Sequence, residues 1–396
     1  MRTLLCILVL GLGLLCARPT TAIASTDTWP RALALMAEEQ FAAALPLLER
    51  LVSEYPNNKN FRFELAVALF HLERDFRAKW HLEQARGARL TAAEARVVER
   101  FLAQIAARSD WTASFTIALK PESNASQKTS AETVSLGGLD FTLLPDARAA
   151  PGTSVLVTAG LEYSPRITES WKARFSLNTH LRYNERDSLR DYQLTGRAGL
   201  QYTPHARSAT SGGIQYGHRW VGDTPYSRTN GVWAEHARLI GARGQLHVGL
   251  DLGRIHSDVA LPRGRRDLLT ASYAHIVSSN ARVTLSGYFE HTSGSLPNLV
   301  GTKKGLNVAV LYAWQGGLMT SLQLGQHFDD RAGPEPLFGM TREDTRTSLS
   351  ATIYHRDLSL SGFAPTLVLG IEENRSNIPL ARYDNQFLSI RLTRNF

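Results

Sequence analysis

Over most of its length this chain alternates greasy and polar residues. In "WKARFSLNTHLRY", Phe175, Leu177, Leu181 and Tyr183 share one face, while Lys172, Arg174, His180 and Arg182 take the other. "QLHVGLDLG" repeats the pattern with Leu246, Val248, Leu250 and Leu252 against His247 and Asp251. "RVTLSGYFE" and "GLNVAVLY" do so again from Val283 and from Leu306. A period of two is strand spacing, because successive side chains of a strand point to opposite faces. Each run is about 9 to 12 residues long, the length a tilted strand needs to cross a bilayer. Aromatic residues fall near the ends of the runs (Trp171, Tyr183, Tyr192, Tyr202, Trp220, Trp314), as in the interface girdles of membrane barrels.

Fourteen such runs can be placed, from 111–119 to 386–396. A further candidate, 134–144, is excluded by parity. Both ends of a barrel chain are expected in the periplasm, so the crossings must be even in number. The twin glycines Gly137 and Gly138 also weaken it, and it is expected in the first external loop. Short turns fall at 239–244, 278–280 and 314–317, on the expected periplasmic side, and longer connections at 256–266, 292–303 and 329–344 outside. The final run puts Leu388, Ile390, Leu392 and Phe396 on one face. In a closed barrel the last strand must pair with the first, or leave an open edge in lipid. These four residues are therefore the candidate barrel assembly signal.

The stretch from Trp29 to about Arg108 has a different period. It is rich in Ala, Leu, Glu and Arg and reads as helix. Phe41 and Phe76 occupy similar places 35 residues apart, close to the roughly 34-residue tetratricopeptide period. Helix-face reasoning marks Phe41, Leu48, Leu65, Leu69 and Phe76 as buried. A last helix begins at Thr91 with Glu94 three residues on, a capping box. Pro46 lies inside a predicted helix, and a plain helical bundle fits the same residues. Either arrangement offers a surface to a peptide or protein partner.

The first 24 residues have one Arg, an apolar run from Leu4 to Leu15 and then Ala22-Ile23-Ala24, the layout of a secretory signal peptide cleaved after Ala24. Lipidation at Cys16 is the alternative, and Leu15 is not the small residue that cleavage before a lipidated cysteine wants. The expected organisation is a signal peptide (1–24), a periplasmic helical domain (25–109) and an outer-membrane barrel (110–396). Both cysteines, Cys6 and Cys16, lie in the signal, so the mature chain is expected to have no disulfide or thiol chemistry. After the signal no stretch approaches the ~20 apolar residues of a membrane helix. The net charge of +8 is modest for the length and gives no reason to expect nucleic acid as a partner.

No motif of enzyme chemistry stands out, and no catalytic, cofactor or metal site is expected. His180 and His247, with Ser and Asp nearby, are the remaining catalytic candidates, but a polar lumen needs such residues in any case. The lumen cations Lys172, Arg174, Arg182, Arg197, Arg219 and Arg282 could steer a client, or pair with Glu162, Asp251 and Glu290.

Three stretches together resemble a known family. "RFELAVALFHLERDFRAKWHLEQAR" is followed by "WTASFTIALKPESNAS", and "PLFGMTREDTRTSLSATIYHRDLSLSGFAPTLVLGIEENRSNIPLARYDNQFLSIRLTRNF" closes the chain. These are similar to the surface lipoprotein assembly modifier family, the outer-membrane component of type XI secretion. The most specific part is Phe338, Gly339, Arg342, Asp344 and Arg346, candidate client or gate contacts. Ser376 to Pro379 supports it, and "ESNAS" is a partial match to a string after the first strand. The resemblance implies a periplasmic tetratricopeptide-like domain on a 14-stranded antiparallel transmembrane β-barrel, and the alternation with the closing strand leads to the expectation of a monomer. It implies a translocator of client proteins, either surface lipoproteins or soluble haem or metal scavengers. The partners implied are the client, its periplasmic chaperone, the barrel assembly machinery and the lipid bilayer. A general diffusion porin with a periplasmic interaction domain is the alternative, and the eighty or so helical residues argue against it.

Overall fold

A computed structural model describes residues 27–87, 90–205, 207–257, 264–355, 358 and 363–395. The signal segment and Phe396 lie outside the described residues. Five helices come first: α1 (Thr28–Ala37), α2 (Phe41–Glu54), α3 (Lys59–His71), α4 (Asp75–Ala85) and α5 (Ala92–Arg108). Local chemistry sets their ends. Asn58 accepts from the backbone N–H groups of Asn60 and Phe61 at the start of α3. The Thr91 hydroxyl accepts from the Glu94 N–H at 3.2 Å, and the Glu94 carboxylate accepts from the Thr91 N–H at 2.7 Å, closing the capping box. Lys59 also bonds Glu94 at 2.7 Å. That ion pair, then the Thr91 N–H, holds the Glu94 carboxyl at about 2.

Two helix exits define the repeat. Glu39 and Glu73, 34 residues apart, both take left-handed backbone (φ 59° and 57°). Next to them Gln40 N–H bonds Leu35 O at 2.8 Å and Arg74 N–H bonds Leu69 O at 2.9 Å. This is the same helix-ending motif twice, at the tetratricopeptide period. The structural partner of Phe41 is therefore Asp75, and the partner of Phe76 is Ala42. One residue of offset turns a helix by roughly 100°. Leu48, Leu65 and Leu69 are fully buried as expected, but Phe41 is half-buried and Phe76 is 62% exposed. The buried places of α4 go instead to Ala78, His81 and Leu82. Pro46 is accommodated inside α2 on an exposed face, where Ala42, whose carbonyl it leaves unbonded, is exposed as well.

Sixteen strands follow. They are β1 (Trp111–Glu122), β2 (Thr133–Leu136), β3 (Leu139–Thr142), β4 (Gly152–Tyr163), β5 (Trp171–Asn184), β6 (Asp191–His205), β7 (Ser208–Val221) and β8 (Thr224–Ile240). The remainder are β9 (Gly244–Ser257), β10 (Gly264–Ser278), β11 (Ala281–Gly294), β12 (Gly301–Ala313), β13 (Leu318–Pro334), β14 (Thr341–His355), β15 (Ala364–Ser376) and β16 (Tyr383–Asn395). Fourteen of them close into an antiparallel barrel, with β1 paired to both β4 and β16. β2 and β3 form a separate hairpin in the β1–β4 connection, turned by Gly137 and Gly138 at positive φ. Several strands outrun their expected bounds. β13 reaches Pro334 and β14 starts at Thr341, so most of the expected 329–344 connection is strand. The outward side chains are apolar and exposed, as lipid requires: Leu177, Ile214, Leu285, Leu322 and Ile390 are examples.

The helical domain is docked on one end of the barrel. Only Ser109 and Asp110 separate α5 from β1, and the Ser109 hydroxyl bonds both N–H and C=O of Trp111. Gln315 Nε2 donates to Glu54 O at 3.2 Å. Gly87 is pressed on β10, where a Cβ would lie 2.5 Å from the Ser278 carbonyl carbon, so no other residue fits without a shift. The turns at 278–280 and 314–317 thus lie at the helical-domain end. An aromatic girdle rings the same end, with Trp111 stacked on Tyr163 at 4.3 Å and Trp171 tilted against Tyr202 at 4.8 Å.

Candidate functional site

A cavity of about 1760 Å³ lies between α4, α5 and the barrel mouth and runs into the lumen. On the helical side it is lined by Phe76, Lys79 and Trp80, and on the barrel side by Trp111, Lys172 and Arg238. Arg174 and Trp233 of its lining stand in one row of cross-strand partners, Arg174, Gly199, Gly213, Trp233 and Asp251 on β5 to β9. Paired residues of a sheet share a face, so the two glycines leave a shelf and Trp233 fills it. A Cβ on Gly213 would meet Ala198 O at 2.0 Å, so only glycine keeps the strands at this spacing. The Trp233 indole is 3% exposed and donates to Ile214 O at 3.1 Å. The guanidiniums of Arg174 and Arg197 lie 5.4 and 5.3 Å from its ring centre.

Those two arginines belong to a lattice of ion pairs. Arg174 bonds Glu162 at 3.1 Å and Glu235 at 2.7 Å. Arg197 bonds Glu235 and Asp251, both at 2.8 Å. Two cations and three carboxylates from five strands thereby pair within one section of the lumen, with one negative charge in excess. The side chains are only partly dry, so removing one is expected to cost about 1–3 kcal/mol, mostly from the charge left behind. Pairing therefore accounts for most of the lumen cations. Glu162 and Asp251 hold partners in this lattice, whereas Glu290 pairs with Arg266. Arg182 bonds Glu122 at 3.1 Å, and Arg219 grips Asp191 through two contacts of 2.9 and 2.6 Å. Arg282 Nε is buried without a partner among the described residues. Sequence reasoning did not single out Glu235 or Trp233, and marked Glu122 only as the first residue of the "ESNAS" string. His180 sits on β5 and His247 on β9, with three strands between them.

At the far end of the barrel three separated strings come together on β1, β16, β15 and β14. In the first, Glu122 accepts from Lys120, Arg182 and Asn385. Asn385 also accepts from the Asn124 N–H at 3.0 Å, and is 2% exposed. This polar knot ties β1 to β16 just beyond Lys120 and Pro121, which interrupt their paired register. In the second, Gly339 turns the chain at φ 64°, with Phe338 half-buried beside it. Arg342 forks onto the buried Asp344, Nε reaching its two oxygens at 3.1 and 2.9 Å. Arg346 lies two residues further on the same face of β14, opposite Asn374. In the third, Asn377 accepts from the Glu343 N–H at 2.9 Å and donates to Thr341 O at 2.7 Å. The Ser376–Pro379 string is thus laced to the Arg342–Arg346 string. Of the terminal residues, Leu388, Ile390 and Leu392 point away from the lumen while Ser389 is fully buried inside it.

This architecture defines a class: a barrel of the outer-membrane type with a tetratricopeptide-like cap over one mouth. Residues 111–396 match the surface lipoprotein assembly modifier family, and residues 35–96 match a tetratricopeptide repeat. The chain belongs to the surface lipoprotein assembly modifier family. It is 20% identical over 387 residues to surface lipoprotein assembly modifier 1 of Haemophilus influenzae, covering 93% of this chain and 77% of that one. Identity to surface lipoprotein assembly modifier 1 of Neisseria meningitidis serogroup B is 22% over 370 residues, covering 91% and 74%. Among solved structures, a Pseudomonas aeruginosa FadL homologue overlays with a TM-score of 0.45 at 10% identity, covering 72% of this chain and 90% of that one.

Proposed function

We propose that this protein is an outer-membrane translocator that delivers client proteins, surface lipoproteins or soluble secreted proteins, to the cell surface or medium. The observation that carries the reading is the cavity shared by α4, α5 and the lumen. A diffusion pore gains nothing from a helical array docked over its mouth, whereas a client must be handed from a binding surface to an exit. The helical domain faces the periplasm in this reading, which agrees with the short turns at its end of the barrel. There it meets the client or its periplasmic chaperone. At the opposite mouth the turn of Phe338 and Gly339 meets the emerging client, and Arg342, Asp344 and Arg346 hold that turn in place. Leu388, Ile390, Leu392 and Phe396 serve assembly machinery that inserts the monomeric barrel into lipid. The test is client display, by surface antibody or assay of the medium, in cells with the wild-type protein, with a Phe338→Ala variant, or with neither. Display that is equal with and without the protein overturns the reading. Enhanced uptake of small solutes without any change in display assigns the protein to the porin class instead.

A further inference from the structure

Phe76 has no folding role that explains it. It is 62% exposed, and Ala42 fills the matching place in the preceding repeat. Yet it faces the cavity, not the outer surface. Trp80, four residues on and therefore on the same side of α4, lines the cavity with it. Two aromatic rings of α4 thus face a space whose lining carries many charged side chains.

That charge is not balanced. Arg74, Lys79, Arg166, Lys172 and Arg238 line the cavity, and no ion pair engages any of them among the described residues. Glu73, Glu83 and Glu169 are the acids of the same lining that form no ion pair among the described residues, so the surplus is positive. The two arginines of the lattice below are already neutralised and do not add to it. Size narrows the occupant further. Small-molecule pockets run about 300–1,000 Å³, and this cavity is near 1760 Å³. A 100-residue domain, with a radius of gyration of about 13 Å, fills roughly ten times as much.

We propose that this vestibule holds an extended, acidic segment of the client, with an aromatic or large aliphatic side chain seated against Phe76 and Trp80. The inference rests on the translocator reading and names the chemistry of what that site accepts. The surplus positive charge draws the segment in, and the rings anchor it without requiring one sequence. A clamp of this kind holds an unfolded segment at the mouth, above the lattice around Trp233.

The experiment uses the full chain in detergent micelles and three fluorescein-labelled peptides. One alternates Glu and Phe, one replaces every Glu by Lys, and one replaces every Phe by Ser. Anisotropy is expected to show binding of the Glu–Phe peptide, weakening as salt rises. The Lys–Phe and Glu–Ser peptides are each expected to bind about tenfold more weakly or worse. Phe76→Ala is expected to lower affinity for the Glu–Phe peptide about tenfold. The double variant Lys79→Glu with Lys172→Glu should lower it as much and flatten the salt dependence. Equal binding of the Glu–Phe and Lys–Phe peptides, or wild-type affinity in both variants, overturns the proposal. The same variants are then assayed for client display in cells. Display that needs the protein but ignores both variants removes the vestibule proposal and leaves the translocator reading standing. Display that proceeds without the protein removes the translocator reading, whatever the peptides do.

Discussion

The helical domain and the barrel are built from the same residues turned in opposite directions. Leu48, Leu65 and Leu69 of the helices are sealed from solvent, while Leu322 and Ile390 of the barrel stand half open on its outer face. Inside the barrel the sealed residues include the polar Ser154, Asn385 and Ser389. The comparison shows that burial has no meaning until the solvent is named. Water drives leucine inward in the helices, and lipid lets it face outward in the strands, where unsatisfied polar groups would be the expensive ones. Phe76 breaks the rule on the helical side, and Trp233 breaks it on the barrel side. Both border the cavity where the two regimes meet.

The largest expected effect is on the helical core. Leu69→Ala should cost about 2–5 kcal/mol, because the cavity left behind cannot collapse. Thermal scans of the helical circular dichroism signal should shift down while heat-modifiable migration of the barrel stays unchanged. The matching change on the other side of the comparison is Leu322→Arg. A cation on the lipid face is expected to cost about 2–4 kcal/mol, read as loss of the folded, heat-modifiable band with soluble helix signal retained. Asn385→Ala probes the inside of the barrel. It strips two partners from the knot between β1 and β16, with an expected cost of about 1–3 kcal/mol in urea unfolding. No loss of barrel stability would mean that the knot is not what holds this seam.

Two smaller effects sharpen the contrast. The Glu94 carboxyl, held at about 2 against an ordinary 4.5, favours the folded helices only while it is ionised. Its contribution is full above about 4.5 and is lost as pH falls toward 2. The helical melting temperature should decline through that window, and Glu94→Gln should flatten the decline. The smallest effect is at Phe76. Phe76→Ala should leave helical stability within about 0.5 kcal/mol of wild type, since an exposed ring contributes little to folding. A loss as large as that of Leu69→Ala would put Phe76 back among core residues.

By itself the sequence determined the number of spanning strands, their faces and the cap of the last helix. Alternation and capping act over a few neighbouring residues, so Leu177 against Arg174, or Thr91 with Glu94, is legible without a partner in view. It also carried the 34-residue repeat, but a match of Phe41 to Phe76 set the register one residue off. The left-handed exits at Glu39 and Glu73 corrected it, and only with that correction does Phe76 turn to the cavity. Which side chains meet inside the barrel was decided by tertiary structure alone. Glu235 bridges arginines 61 and 38 residues away, and Asn385 closes on Glu122 across 263 residues. Strand spacing fixes a side chain's face, but closure and register of the whole barrel choose what stands opposite it.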